Sequence, residues 1–229
     1  GGRFYRGWWQ NVPSEYRQFI TIDSKKTQEY DFSQLNPNMI YSLHNLELGS
    51  EDAYSRVLDG EHRDIVKTAF NAMFQSSTQL TSKPKGIDLD KVGMTWMELR
   101  QAVLDSHKPI QHLFFKGLGN QLQFEDSEIA EGIMLHFTKE DAPALPIHDS
   151  FVMHHGYAGE LEESMRRTFY DRFGKDIGIK SEIIEKVKPK DIDPNNIEWD
   201  DNSIEAILEG DKEYSEWQDR DAMWLSRKR

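Results

Sequence analysis

The sequence predicts a mixed α/β (α+β) fold. Short runs rich in β-branched and aromatic residues, bounded by polar turns, predict strands at residues 19–23, 28–32 and 145–153. Apolar residues at helical spacing dominate much of the chain between and after them. With 229 residues, of which 37% are hydrophobic and 11% aromatic, the chain is long and apolar enough to bury a substantial core.

Charge divides the chain into two parts. Residues 191–229 contain 12 acidic and 5 basic residues, a net charge of −7, which leaves −5 of the total −12 for residues 1–190. We therefore predict one domain over residues 1–190, followed by an acidic tail or peripheral helix at 191–229. This acidic balance gives no support to nucleic-acid binding, so any such binding depends on local patches.

The chain contains no cysteine, which excludes disulfides, thiolate metal sites and cysteine nucleophiles. No apolar run has the length of a membrane span, and no signal peptide is visible. These observations predict a cytoplasmic (intracellular) protein that has no membrane partner.

The first element is a local patch at residues 3–19. Three arginines alternate there with aromatic residues: Arg3, Arg6 and Arg17 with Phe4, Tyr5, Trp8, Trp9 and Tyr16. Arginines bind phosphates and aromatic faces stack on bases, so the patch is a candidate nucleic-acid contact. The alternative is an aromatic cluster on the core, with the arginines extending to solvent.

A carboxylate ends the next element. Residues 19–23 and 28–32 predict two strands around the turn at residues 24–26, and the second strand ends at Asp31. Residues 33–41 then predict a turn into a helix, where backbone amides favour anions such as phosphates.

Helices are predicted next, at residues 51–59 and 61–78. In the second helix, Arg63 and Lys67 lie one turn apart on a shared face, and two cations so placed can clamp a polyphosphate. An ordinary solvated basic face is the commoner explanation of an isolated pair.

A second carboxylate follows further along the chain, in the hairpin at residues 145–153. Asp149 lies at its bend, where it either serves a site or caps its own backbone. The remaining predictions are a loop at 76–93, helices at 94–105, 107–117, 121–140 and 158–173, and a strand at 177–187.

Asp31 and Asp149 are thus two strand-associated carboxylates, with Arg63 and Lys67 on a helix between them. Two carboxylates can hold two Mg²⁺ ions, with Mn²⁺ as an alternative, which activate a 3′-hydroxyl and stabilise a leaving pyrophosphate. The two cations can neutralise a triphosphate as charge develops. This is the chemistry of a template-directed polymerase.

Three short segments of the chain also resemble, in the same order, the conserved motifs of a known protein family. These are Gly2-Arg3-Phe4 with Gln10-Asn11-Val12-Pro13, Asp31-Phe32-Ser33-Gln34-Leu35, and Leu145-Pro146-Ile147-His148-Asp149-Ser150. From about residue 2 to about residue 173 the chain resembles the palm and part of the fingers of family A DNA polymerases and the related single-subunit phage-type RNA polymerases. The second and third segments resemble motifs A and C of this family, and the helix of Arg63 and Lys67 resembles motif B.

The resemblance implies a polymerase-like palm, with a small antiparallel sheet that carries both aspartates and helices packed on one face. It implies that Asp31, Asp149 and the backbone carbonyl of Phe32 are the metal ligands. His148 would approach the primer terminus. Partners would be a nucleic-acid primer and template and nucleoside triphosphates, in the replication of a plasmid, phage or mobile element.

The resemblance also assigns roles in binding. Arg63, Lys67, Phe74 and Asn36 would contact the nucleotide, with Phe74 stacked near the incoming base. Arg3, Arg6, Gln10 and Asn11 would contact the nucleic acid.

The chain departs from the family pattern at three points. Asn36 stands where the DNA polymerases have the glutamate that helps to exclude ribose, so the choice of sugar stays open. The spacing from Lys67 to Phe74 is one residue short, and Lys67 to Asn71 fits the corresponding family B motif equally well. No thumb is visible, so upstream domains or a further subunit would supply it.

Four interpretations remain open. The chain is this polymerase, a primase or RNA polymerase-like enzyme, a catalytically inactive palm that binds nucleic acid or protein, or a two-metal nuclease. A two-metal nuclease would need more acidic ligands, for which Asp126 and Glu128 are the candidates.

Overall fold

The computed structural model describes residues 4–182 and Ser226. The helices are α1 (Ser14–Arg17), α2 (Leu35–Leu43), α3 (Arg63–Gln75), α4 (Leu89–Val92), α5 (Trp96–Ser106), α6 (Gly119–Thr138) and α7 (Ala158–Phe173). The strands are β1 (Thr21–Ile22), β2 (Lys25–Phe32), β3 (Leu145–Ile147), β4 (Ser150–His154) and β5 (Ile179–Glu182). The α+β prediction is confirmed.

The five strands form one antiparallel sheet around β2, which pairs with β1, β4 and β5, while β3 pairs with β4. Side chains alternate across β2, so Tyr30 and Phe32 enter the main core while Glu29 and Asp31 face the other way. On the core side, Phe32 packs against Phe169 of α7, with ring centroids 6.3 Å apart. Helices therefore cover one face of the sheet, as predicted.

The N-terminal segment covers part of the other face. Ile20, Ile147 and Val152 form a second small core there, against which Trp9 and Val12 pack. The segment thus packs on the same face of the sheet as Asp31, because Val152 of β4 pairs with Glu29 of β2.

The β1–β2 connection is a two-residue turn at Asp23 and Ser24, with φ of 53° and 60°. Two positive φ angles are the requirement of a type I′ turn, which matches the twist of a hairpin. The turn predicted at residues 24–26 is therefore placed too late, because Lys25 already begins β2.

The helix predicted at residues 51–59 is wrong. The carboxylate of Asp52 accepts hydrogen bonds from the backbone N–H groups of Tyr54 and Ser55, and Leu58 and Asp59 have φ of 56° and 52°. These side-chain bonds replace helical ones, and positive φ cannot continue a helix.

The helix predicted at 107–117 is also wrong, since the chain forms a 3-10 helix at Lys108–Leu113. A proline in its first turn removes an N–H donor, and Phe115, with φ of 60°, ends any continuation. The helices predicted at 121–140 and 158–173 are confirmed as α6 and α7.

The strand predicted at 177–187 is present as β5, and the part after residue 182 lies outside the described residues, as does 191–229 apart from Ser226. Over the residues that the structure describes, no helix combines the length and the apolar character needed to cross a bilayer.

Candidate active site

The structure brings Asp31 and Asp149 together. Asp31 pairs with Ser150 across β2 and β4, and the backbone N–H of Phe32 donates to the carbonyl of Asp149 at 3.1 Å. Asp149 lies in the β3–β4 turn beside His148, which is exposed and has a φ of 56°. Two carboxylates that are 118 positions apart in sequence thus lie at one end of the sheet.

The Asp31 carboxyl group is in an unfavourable environment for a charge. Burial raises its pKa to about 7, and repulsion from Asp149 and Glu29 adds to this, while Lys67 and Lys180 act in the opposite direction. Its Oδ1 atom is buried and has no hydrogen-bond partner among the described residues. A buried oxygen of this kind is costly unless a ligand satisfies it.

A divalent cation fits these residues. Mg²⁺ prefers hard oxygen ligands, and it is commonly bound by one or two carboxylates, with water and substrate phosphates completing its shell. Asp31 and Asp149 supply two carboxylates, and the Phe32 carbonyl is the adjacent backbone candidate. Among residues 4–182, no cluster of three or more acidic or histidine side chains forms a larger metal site.

The two acidic residues considered for a nuclease have different surroundings. Asp126 is buried on α6, where it lines a small pocket together with Pro146 and His148, whereas Glu128 on the same helix lies 3.7 Å from Arg172 of α7. No group of three or more acidic or histidine side chains is assembled among residues 4–182. The larger acidic ligand set that a nuclease would need is therefore not assembled by the described residues.

A polar contact chain supports the turn that carries Asp149. The hydroxyl of Ser150 lies within hydrogen-bond distance of two acceptors, the carboxylate of Glu29 on β2 and the carbonyl of Ile147, 3.0 Å away, and its single proton can be donated to either. Arg17 forms an ion pair with the same Glu29 at 3.0 Å. These contacts join α1, β2 and β4 around the two aspartates, which fixes the strand ends that present them.

Arg63 is held by Asp52. Its Nε and Nη2 atoms donate to the two carboxylate oxygens at 3.1 and 2.7 Å, and its guanidinium lies 5.1 Å from the centre of the Tyr54 ring. Burial alone would raise the pKa of Asp52, but hydrogen bonds from Arg63 and Ser55 outweigh it and lower that pKa to about 2. Arg63 is therefore fixed in orientation.

Lys67 differs from Arg63. It is exposed on α3, and its charge lowers the pKa of Asp31. The structure thus places the second predicted triphosphate ligand within electrostatic range of the carboxylate pair.

Asn36 is tied to α3 through a side-chain network. Its Nδ2 atom donates to Oδ1 of Asn71 at 3.0 Å, and the Asn71 side chain also hydrogen bonds to the hydroxyl of Tyr54. Burial raises the pKa of Tyr54, and its hydroxyl is close enough to Asp149 for that charge to raise it further. The network joins the helix after Asp31 to the helix of Lys67.

Phe74 is not placed with the other site residues. It is 1% exposed, and its ring packs 4.8 Å from Phe70 and 4.1 Å from Phe114, measured between centroids. Stacking on a base needs an accessible ring face, and Phe74 has none because it is part of the core.

The predicted nucleic-acid contacts lie along the N-terminal segment. The Gln10 Nε2 atom donates to the carbonyl of Pro146 at 3.1 Å, which places Gln10 beside the strand that leads to Asp149. Arg6 and Asn11 are exposed, whereas Arg3 lies outside the described residues.

The sequence interpretation missed three residues of the site. Lys180 of β5 pairs directly with Asp31, and Asp52 and Tyr54 position Arg63. Only the polar residue pair Asp52–Ser55, which is typical of a side-chain-capped turn, gave a local signal. The pairing of β5 with β2 is long-range and has no local signature.

No protein-family model and no curated protein sequence matches this chain. Among solved structures, the chain is similar to the polymerase domain of Pol1 from M. smegmatis in complex with a DNA primer-template and dNTP, with 15% identity and a TM-score of 0.42. The match covers 75% of this chain and 43% of that one, so the chain spans less than half of the length of that structure. The likeness is therefore distant.

Proposed function

We propose that the protein is a template-directed nucleotidyltransferase that extends a primer by two-metal phosphoryl transfer. The observation that carries this proposal is the proximity of Asp31, near the end of β2, to Asp149 in the β3–β4 turn, with the buried Oδ1 of Asp31 lacking a partner among residues 4–182. A purely structural pair of this kind would be destabilising, because two carboxylates repel each other and one is partly buried.

Asp31, Asp149 and the carbonyl of Phe32 would hold Mg²⁺, or Mn²⁺ in its place. When bound, the ions would activate the 3′-hydroxyl and stabilise the leaving pyrophosphate. His148, exposed in the turn next to Asp149, would approach the primer terminus.

The helix α3 would bind the triphosphate. Lys67 is exposed and within electrostatic range of Asp31, so it can contact a phosphate close to the carboxylates. Asp52 occupies Nε and Nη2 of Arg63, so Arg63 would use Nη1 for a phosphate while its orientation is kept. Asn36, which Asn71 holds in place, would lie near the sugar.

Primer, template and thumb complete the proposal. Arg3, Arg6, Gln10 and Asn11 would contact the nucleic acid, and Gln10 is anchored beside the strand that leads to Asp149. Upstream domains or another subunit would supply a thumb.

The test is primer extension on DNA and RNA templates, with dNTPs and NTPs in separate reactions and Mg²⁺ or Mn²⁺ present. We expect template-dependent extension that falls at least about a hundredfold in Asp149→Asn, because a metal ligand is lost. Asp23→Asn is the matched control, since Asp23 also lies in a two-residue hairpin turn but away from the site. Equal extension by Asp149→Asn would contradict the proposal, and folded protein that binds nucleic acid without extending it would indicate a non-catalytic module.

A further inference from the structure

The N-terminal segment has two faces of different character. Trp9, Val12 and Ile20 point to the sheet, where they pack around Ile147 and Val152. These apolar contacts attach the segment to the sheet.

Several other aromatic side chains of the same segment are exposed to solvent. The exposed fractions are 61% for Tyr5, 63% for Trp8, 58% for Tyr16 and 70% for Phe19. We call these four residues the aromatic platform. Exposed apolar groups that cluster in one region commonly mark a binding surface.

The backbone under the platform is held in place. The Trp9 Nε1 atom donates to the carbonyl of Pro146 at 3.0 Å, and the Arg17 Nε atom donates to the carbonyl of Val12 at 3.1 Å. Gly7 lets the Trp9 ring approach closely, since a Cβ at Gly7 would lie 2.4 Å from that ring. Trp8 and Trp9 consequently have separate roles. Trp9 anchors the segment, whereas Trp8 is exposed and packs edge-to-face with Trp9, with the two ring centroids 6.1 Å apart.

The charge of this region is opposite to that of the rest of the chain. Residues 1–28 contain five basic and two acidic residues, a net charge of +3, whereas the whole chain carries −12, so residues 29–229 carry −15. Arg6 and Lys26 of this region are exposed. A polyanion is therefore attracted to this part of the molecule and repelled by most of the remainder.

We propose that the aromatic platform binds single-stranded nucleic acid by stacking on its bases. Stacking on aromatic faces is the common basis of sequence-tolerant binding of single strands, and neighbouring cations add backbone contacts. This proposal depends on the proposed function in one respect only, the choice of nucleic acid as the class of ligand. Trp9 and Gln10 both donate to the carbonyl of Pro146, so the segment that carries the platform is attached to β3, the strand that leads to Asp149.

The experiment measures the affinity of the full chain for fluorescein-labelled oligothymidylate and oligouridylate by anisotropy, in EDTA and without nucleotides. We expect Trp8→Ala to weaken binding at least about fivefold, Trp8→Phe to keep most of it, and a duplex of equal length to bind more weakly. Tyr170→Ala is the matched control, since Tyr170 is 54% exposed on α7. The DNA and RNA oligonucleotides decide which single strand is preferred.

Unchanged affinity in Trp8→Ala would overturn the proposal, as would tighter binding of the duplex. No binding of either oligonucleotide, with a Trp8-dependent monomer–dimer equilibrium in its place, would assign the platform to a second copy of the chain and also overturn it. The binding result can be interpreted independently of catalysis. Binding that depends on Trp8, in a protein that does not extend a primer, would reject only the proposed function. Primer extension that depends on Asp149, in a protein whose binding does not depend on Trp8, would reject only the role of the aromatic platform.

Discussion

Arg63 donates two hydrogen bonds to Asp52, from Nε at 3.1 Å and from Nη2 at 2.7 Å, whereas Lys67, one turn later on α3, is exposed. The two cations that sequence spacing groups together thus have different surroundings. One is part of the internal structure of the fold, and the other is available at the surface near Asp31.

This difference predicts different outcomes for the two alanine variants. Lys67→Ala should weaken binding of a fluorescent nucleoside triphosphate about tenfold or more without changing the melting temperature, because only a charge-assisted contact is lost. Arg63→Ala should weaken binding and also lower the melting temperature, because Asp52 loses its partner. Lys91→Ala, on the exposed helix α4, is the control for general charge effects. Equal nucleotide affinity in Lys67→Ala and Lys91→Ala would refute the role of Lys67.

The raised pKa of Asp31 leads us to expect an unusual dependence of stability on pH. Its pKa in the folded protein is raised to about 7, so the folded state binds the proton more tightly than the unfolded state. The contribution of Asp31 to the free energy of unfolding of the metal-free protein, measured as the difference from Asp31→Asn, should therefore fall as pH rises from about 4 to about 7, and stay lower above that. Asp31→Asn should remove this loss and gain on the order of 1–3 kcal/mol at pH 8.

The measurement is urea unfolding in EDTA across this pH range, repeated with Mg²⁺. Mg²⁺ should raise the stability of the wild type and have little effect on Asp31→Asn, because the charge that it neutralises is absent. Asp141→Asn, an exposed turn aspartate, serves as control. A variant less stable than the wild type at pH 8 would contradict the buried-charge explanation.

The burial of His107 leads us to expect a loss of stability in acid. Its ring is fully buried, with Nε2 donating to the carbonyl of Ala53 and Nδ1 accepting from the hydroxyl of Tyr41, both at 3.0 Å. Burial, aided by the charge of Arg56, lowers its pKa to about 4. The unfolded chain takes up the proton below about pH 6.5, so the stability that the neutral ring provides is complete above that pH and is lost as pH falls toward 4.

The expected loss is about 3 kcal/mol over that interval. His107→Gln should be less stable than the wild type at neutral pH but should show a shallower decline between pH 6.5 and 4. His112→Gln, which changes an exposed histidine, should follow the wild-type curve. Parallel curves for His107→Gln and the wild type would show that His107 does not titrate on unfolding.

The sequence was most informative where local patterns decide the structure. The positions of Asp31 near a strand end and of Asp149 in a tight turn were predictable, because both features depend on a few adjacent residues. The amphipathic helices α6 and α7 were predictable for the same reason, since the spacing of apolar residues marks their buried faces.

Predictions failed where tertiary contacts decide. The helical pattern of α3 shows that Phe74 is on an apolar face, but not whether that face meets the core or a ligand. Residues 51–59 have helical composition, yet the side chain of Asp52 captures the backbone N–H groups that a helix would use. The pairing of Lys180 with Asp31 depends on the order of strands in the sheet, which local composition does not encode.

The pairing of β2 with β4 has a consequence for how the molecule is made. Asp31 faces Ser150, 119 positions later in the chain, whereas β1 and β2 are joined by two residues. Contacts between distant residues form slowly because a long loop must close first. During synthesis, the hairpin that ends at Asp31 can form early, but it must wait for most of the chain before it meets Asp149. The two carboxylates therefore come together late in folding, when much of the core that tolerates their repulsion can already be in place.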